Sequence, residues 1–156
     1  MSRRDQIRMS DPEVREFVRG AQTIIINSIG KDGVPHPMPM WFGVEPDGSI
    51  VMTTFRKSQK VTNLRRDPRV SLLIEDGNVY SELRGVVIYG NAELVDDTGK
   101  VLDILAEVSS RNQPLDDAAK AGMRAVLAKT ASKRVGIRVK PERIVSWDHR
   151  KLGGVY

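Results

Sequence analysis

The chain contains no cysteine and only two histidines, His36 and His149. Disulfides, thiolate nucleophiles and cysteine-ligated metals are therefore excluded, and a dedicated histidine metal site has too few ligands. Aromatic residues make up only 5% of the chain, so any core must be built from Val, Ile, Leu, Met and Ala. No apolar run approaches the ~20 residues of a membrane-spanning helix. Residues 1–10 are polar and charged and lack the apolar stretch of a secretion signal, which makes the cytoplasm the expected compartment. There is no internal repeat, glycine-rich nucleotide loop, nucleophile–base pair or pair of acids spaced for hydrolysis. The chain does have 156 residues, 40% of them apolar and 29% charged, with a net charge of +5. That suits one soluble domain over residues 1–156, with 1–10 and 150–156 as loose ends, and a surface that attracts anions.

Hydrophobic periodicity and turn residues divide the chain. Asp11 and Pro12 read as the cap and first turn of a short helix whose buried face is Val14, Phe17 and Val18. A β-branched strand over 23–29 turns at Lys31-Asp32-Gly33 into a second strand over 34–44. In that strand Pro35, Pro37 and Pro39 share one parity and remove three donors from one edge, while His36, Met38 and Met40 share the other. Further strands are expected over 49–54, 69–75, 80–95, 133–139 and 141–147, with Gly85 and Gly90 as bends or bulges in the long one. Helices are expected over 56–66, after Asp96-Asp97, and over 118–129, with a break at 112–114 between the last two. About six or seven antiparallel strands with two to four helices make a mainly β protein. A sheet of that size closes into a barrel with peripheral helices, or packs on a second copy.

The chemistry concentrates between residues 53 and 60. A strand ends in Thr53 and Thr54, Ser58 is a favoured N-cap, and Arg56, Lys57 and Lys60 crowd the start of the next helix. The helix dipole favours acids there by about 0.3–1 kcal/mol each, so repeated cations make sense if an anion sits among them. A solvated basic helix end would have the same composition. A nucleic-acid patch is argued against by the lack of aromatics among the charges and of any recognised nucleic-acid module. His36, Met38, Met40 and Trp41 could wall a flat ring, or could equally be barrel core or a subunit contact. Tyr80 and Trp147 could line a pocket or anchor a partner.

The run from Thr54 to Val70, with its Ser58-x-Lys60, Leu64 and Asp67-Pro68, resembles the phosphate-binding segment of pyridoxamine 5'-phosphate oxidase-like, FMN-binding split barrels. Asn63-Leu64-Arg65-Arg66-Asp67-Pro68-Arg69, the run from Tyr80 to Gly90 and the run from Arg143 to His149 look more closely like the flavin/deazaflavin oxidoreductase B group, whose members often use coenzyme F420. The resemblance implies that Lys60 and Ser58 hold a phosphate, with Arg56, Lys57 and Thr54 beside them. It implies that Met38 and Met40 flank the ring, and that Tyr80 comes from the partner of a homodimer with cofactor sites at the interface. The Arg-x-Val-Leu-Leu-Lys motif of true pyridoxamine phosphate oxidases is missing.

The function so implied is hydride transfer between reduced F420 and an electron-poor small molecule such as an enone or quinone. Few catalytic side chains are then needed, and none is identified. FMN in the same fold, giving an oxidase or flavin reductase, is one alternative. A non-enzymatic cofactor carrier or nucleic-acid binder is another.

Overall fold

The computed structural model describes residues 2–111 and 115–154. The expected break at 112–114 lies outside the described residues. Among the described residues there are five helices: α1 (Arg3–Ile7), α2 (Asp11–Gly20), α3 (Gln59–Arg66), α4 (Thr98–Ser110) and α5 (Asp117–Ala131). The strands are β1 (Thr23–Ile29), β2 (Pro35–Trp41), β3 (Gly43–Val44), β4 (Ile50–Phe55), β5 (Arg69–Asp76), β6 (Arg84–Val95), β7 (Arg134–Val139) and β8 (Arg143–Asp148). None of the helices is long and apolar enough to cross a membrane, among the described residues.

All strand pairings are antiparallel, in the order β2-β1-β5-β6-β7-β4-β3, with β8 added to β6. β6 is the pivot of this curled sheet. Along one edge, Arg84–Asn91 pairs with β5; along the other, Arg84–Tyr89 pairs with β8 and Ala92–Val95 with β7. Gly90 stands at the switch from β8 to β7, and a Cβ there would lie 2.6 Å from the carbonyl oxygen of Lys140. Gly85 lies under the Trp147 ring, 2.3 Å from where a Cβ would be. Both glycines thus permit the close approach of a neighbour. The result is a mainly β split barrel with peripheral helices.

Side-chain alternation fills the barrel. Ile24, Ile26, Ile50, Met52, Leu72, Ile74, Val86, Ile88, Ile137 and Val139 are all buried inside, joined by Phe42. On the outer face of β4, Val51 packs against Ile104 and Val108 of α4. Both faces of β4 are therefore dry, which is why Thr53 and Thr54 are buried near its end.

Four local boundaries differ from the sequence expectation. The N-cap of α2 is Ser10, one residue earlier than expected, in a reciprocal box with Glu13. The strand expected over 34–44 is interrupted at Phe42, whose side chain turns into the core, so the strands number eight. The first residues of the long 80–95 run form a 3-10 turn (Tyr80–Glu82), not strand. Helices number five because α1 forms within the expected loose N-terminus, capped by Ser2 and Asp5. It packs against a second 3-10 turn, His149–Leu152. Lys151 Nζ donates to the Arg8 carbonyl at 2.9 Å and to Glu13 Oε2 at 2.7 Å.

Candidate functional site

β4 delivers Thr54 to the barrel mouth and α3 starts five residues later, with extended backbone at its N-cap Ser58 (φ −72°, ψ 151°). Val61 and Leu64 dock the inner stripe of α3, and this turns Lys60 inward beside them. Lys60 is only 6% exposed. Its Nζ donates to Thr54 Oγ1 at 3.0 Å, and the Thr54 hydroxyl donates to Ser58 Oγ at 3.3 Å. No carboxylate pairs with this ammonium among the described residues. Burial pushes its pKa below the ordinary 10.5. The first turn of α3 contains no acid and its N-cap side chain makes no capping bond, so the first N–H groups keep their donor capacity. Hydroxyls, a buried cation and helix-start amides together are the donor set of a phosphate site.

The other expected cations are placed differently. Arg56 pairs with Asp96, and its second nitrogen donates to the Arg134 carbonyl at 3.0 Å. It is thus committed to the β6–α4 corner. Lys57 is exposed and makes neither hydrogen bond nor ion pair. Further along, Arg66 donates to the Ile29 carbonyl and Arg69 pairs with Asp67. The structure brings Thr54, Ser58 and Lys60 together and leaves Arg56 and Lys57 at the periphery.

β2 runs along β1 as the sheet's edge, with His36, Met38 and Met40 opposite Ser28, Ile26 and Ile24. Those partners are buried, so this parity of β2 faces inward. Met40 packs against the core and Met38 is 38% exposed. Trp41 has the opposite parity and stands 59% exposed, separated from the other three. Because β2 pairs with β1 along its length, Pro35, Pro37 and Pro39 must be the residues pointing to the outer edge, which is left without their donors.

Sequence reasoning did not find Ser28 and Asn63. Asn63 is fully buried on α3; its Nδ2 donates to Ser28 Oγ at 3.0 Å and its Oδ1 accepts from Gln59 Nε2 at 3.0 Å. This link locks α3 onto β1 next to Lys60. An Asn followed by a Leu in a basic helix is an ordinary surface pattern, and nothing local marks it as buried.

Tyr80 is at the other end of the sheet. It lies beyond the Asp76 end of β5, whereas α3 leads into the Arg69 end, and the strand between is about 23 Å long. Its carbonyl lies 2.9 Å from His149 Nδ1, and the two ring centroids are 4.9 Å apart with the planes tilted by 59°. One chain alone does not bring Tyr80 to Lys60.

The comparisons follow this geometry. Residues 10–148 match the model of the pyridoxamine 5'-phosphate oxidase family. Among solved structures, the chain is 41% identical to the conserved hypothetical protein Rv2991 from Mycobacterium tuberculosis, with a TM-score of 0.87, over 100% of this chain and 95% of that one. It also superposes on an F420 reductase (22% identity, TM-score 0.61, covering 83% of this chain and 94% of that one). A FAD-binding protein from Mesorhizobium loti is similar (17% identity, TM-score 0.60, covering 88% and 92%). The last two likenesses speak to the fold alone. No curated protein matches the chain. With the match spanning nearly all of the barrel, the chain belongs to the pyridoxamine 5'-phosphate oxidase family of split barrels.

Proposed function

We propose that this protein is an oxidoreductase that binds coenzyme F420 and moves hydride between the reduced deazaflavin and an electron-poor small molecule. The observation that carries the reading is the Lys60 ammonium, buried with a hydroxyl as its only partner among the described residues. A buried cation without a counter-charge is costly, and a phosphoryl group among Lys60, Thr54, Ser58 and the first amides of α3 would relieve it. The donor set therefore fits a phosphorylated flavin-type cofactor.

In this reading the cofactor supplies the two-electron chemistry when bound. The chain's residues bind and orient it. Lys60, Thr54 and Ser58 fix the phosphate, Met38 and Met40 offer a polarizable wall to the ring, and the dry barrel mouth limits water. The family fold and the F420 reductase likeness support the assignment. The site is completed in a homodimer, because Tyr80 can reach a Lys60 site only from a second copy. The register of β1 on β5 puts Trp41, opposite Thr23, at the same end of the sheet as Tyr80. A two-fold pairing would then lay that end over the partner's Lys60 end.

One observation favours FMN as a second reading. Arg56, the spare cation that would suit the longer acidic tail of F420, is already paired with Asp96. Titrating purified protein with each cofactor and following fluorescence quenching separates the two. Micromolar binding of F420, weakened about 10- to 100-fold by Lys60→Ala, is the expected outcome. Binding of FMN alone would replace F420 with FMN, and binding of neither would end the flavin reading.

A further inference from the structure

A line of polar groups runs from α3 into the sheet and stops one member short. Gln59 Nε2 donates to Asn63 Oδ1, and Asn63 Nδ2 donates to Ser28 Oγ. Ser28, 1% exposed, faces His36 across the β1–β2 ladder. The Ser28 oxygen has accepted one bond and keeps its own hydrogen to give. His36 Nδ1 is buried and has no partner among the described residues. Buried polar atoms are nearly always bonded, so an orphan in an otherwise complete line calls for an explanation. The other ring nitrogen, Nε2, is not among the buried unpartnered atoms of the described residues, and the residue as a whole is half-buried. His36, Gln59 and Asn63 line a groove of about 630 Å³ between α3 and the β1–β2 turn. That groove begins at Gln59, the residue next to Lys60.

We propose that His36 is a ligand-binding residue of this groove. Its Nε2–H donates to a carbonyl or carboxylate oxygen on the part of a phosphorylated ligand that lies beyond the phosphate. This deepens the reading of Lys60 as an anion anchor and rests on it. The chemistry follows from the line of groups behind the ring. A serine hydroxyl with one hydrogen to give, on the residue paired with His36 across the ladder, makes Nδ1 the acceptor once the two close. A neutral imidazole that accepts at Nδ1 carries its proton on Nε2, the nitrogen that reaches the groove. Ser28, Asn63 and Gln59 are then positioning residues that set the tautomer, closing onto His36 by a small ring rotation when the ligand draws Nε2 outward. Ser28, His36 and Asn63 come from β1, β2 and α3, so the donor is held by the scaffold and not by a loop.

The test compares cofactor affinity with inorganic phosphate affinity, both read by fluorescence. His36→Phe, which keeps the ring and removes its nitrogens, is expected to weaken F420 or FMN binding roughly tenfold while phosphate affinity stays unchanged. His36→Gln, which restores a donor, is expected to recover most of that loss. Unchanged cofactor affinity in His36→Phe, together with loss of binding in Lys60→Ala, would overturn the His36 assignment and leave the anchor standing. Phosphate and cofactor binding that both survive Lys60→Ala would overturn the anchor itself. Should His36→Phe fail to fold, ring ¹⁵N spectra of the wild type decide. Nε2 protonated and shifting on saturation with cofactor is expected, and a ring signal that ignores the ligand refutes the proposal. A change in substrate KM with cofactor affinity untouched would likewise refute it.

Discussion

Lys60 is a residue whose value to the free protein is negative. Its ammonium is withdrawn from water and receives one neutral oxygen in return. Lys60→Met keeps the apolar stem and deletes the charge, and so should stabilise the ligand-free protein on the order of 1 kcal/mol while removing cofactor binding. Thermal melts with and without ligand measure both halves, and a destabilised Met variant would contradict the account. The pH dependence has a definite sign. Burial depresses the folded-state pKa below 10.5, so the cost of the buried charge is fully present below the depressed value. It falls away as the folded state sheds its proton and is gone above 10.5, so wild type and variant should converge there. Thr54, Ser58 and Lys60 could be read from sequence because strand end, cap and cation lie within seven residues of one another. The fate of Arg56 could not, since Asp96, its partner, is 40 residues away. The orphaned nitrogen of His36 depends on three elements meeting and leaves no trace in any one of them.

At the level of elements, parity was legible wherever burial is one-sided. Prolines on one parity of β2 and inward residues on the other follow from the pleat alone. Phe42 was harder, because a single residue turning into the core breaks a strand without any turn signal. The chain ends were harder still: α1 is only five residues long, too short to hold its shape by propensity, and it is kept by its cap and by the 149–152 turn. One contact there sets a pH limit. Glu13 is held at about 2, well below its ordinary 4.5, first by the hydrogen bond from Lys151 and then by the Ser10 amide and hydroxyl. A carboxylate depressed in this way stabilises the fold above its unfolded pKa, and that contribution disappears as pH falls toward 2. Lys151→Met should therefore begin to unfold at a higher pH than wild type, with the two curves meeting near pH 2. Both groups are partly in water, so the gap will be small and will shrink in salt. Superimposable acid titrations followed by circular dichroism would remove the contact from the list of things that matter.

For the whole molecule, the strand order and the pivot at β6 put the Lys60–His36 end and the Trp41–Tyr80 end at opposite extremes of one sheet. A mainly β barrel was legible because the turns between strands are short and the helices few. The number of copies was not, as composition cannot tell an exposed Trp from a covered one. Trp41 (59% exposed), Val79 (53%) and Tyr80 (62%) are large apolar side chains left open at one end. If a second copy covers them, Trp41→Glu should halve the mass seen by sedimentation and weaken cofactor binding in parallel. A wild-type protein that sediments as a single chain would sink the two-fold arrangement. The proline-lined rim of β2 constrains how such copies can meet. Without amide hydrogens at positions 35, 37 and 39, the rim cannot recruit another chain as an extra strand. The same three residues that strip this rim of donors therefore guard that edge of the sheet against strand-on-strand growth into a fibril.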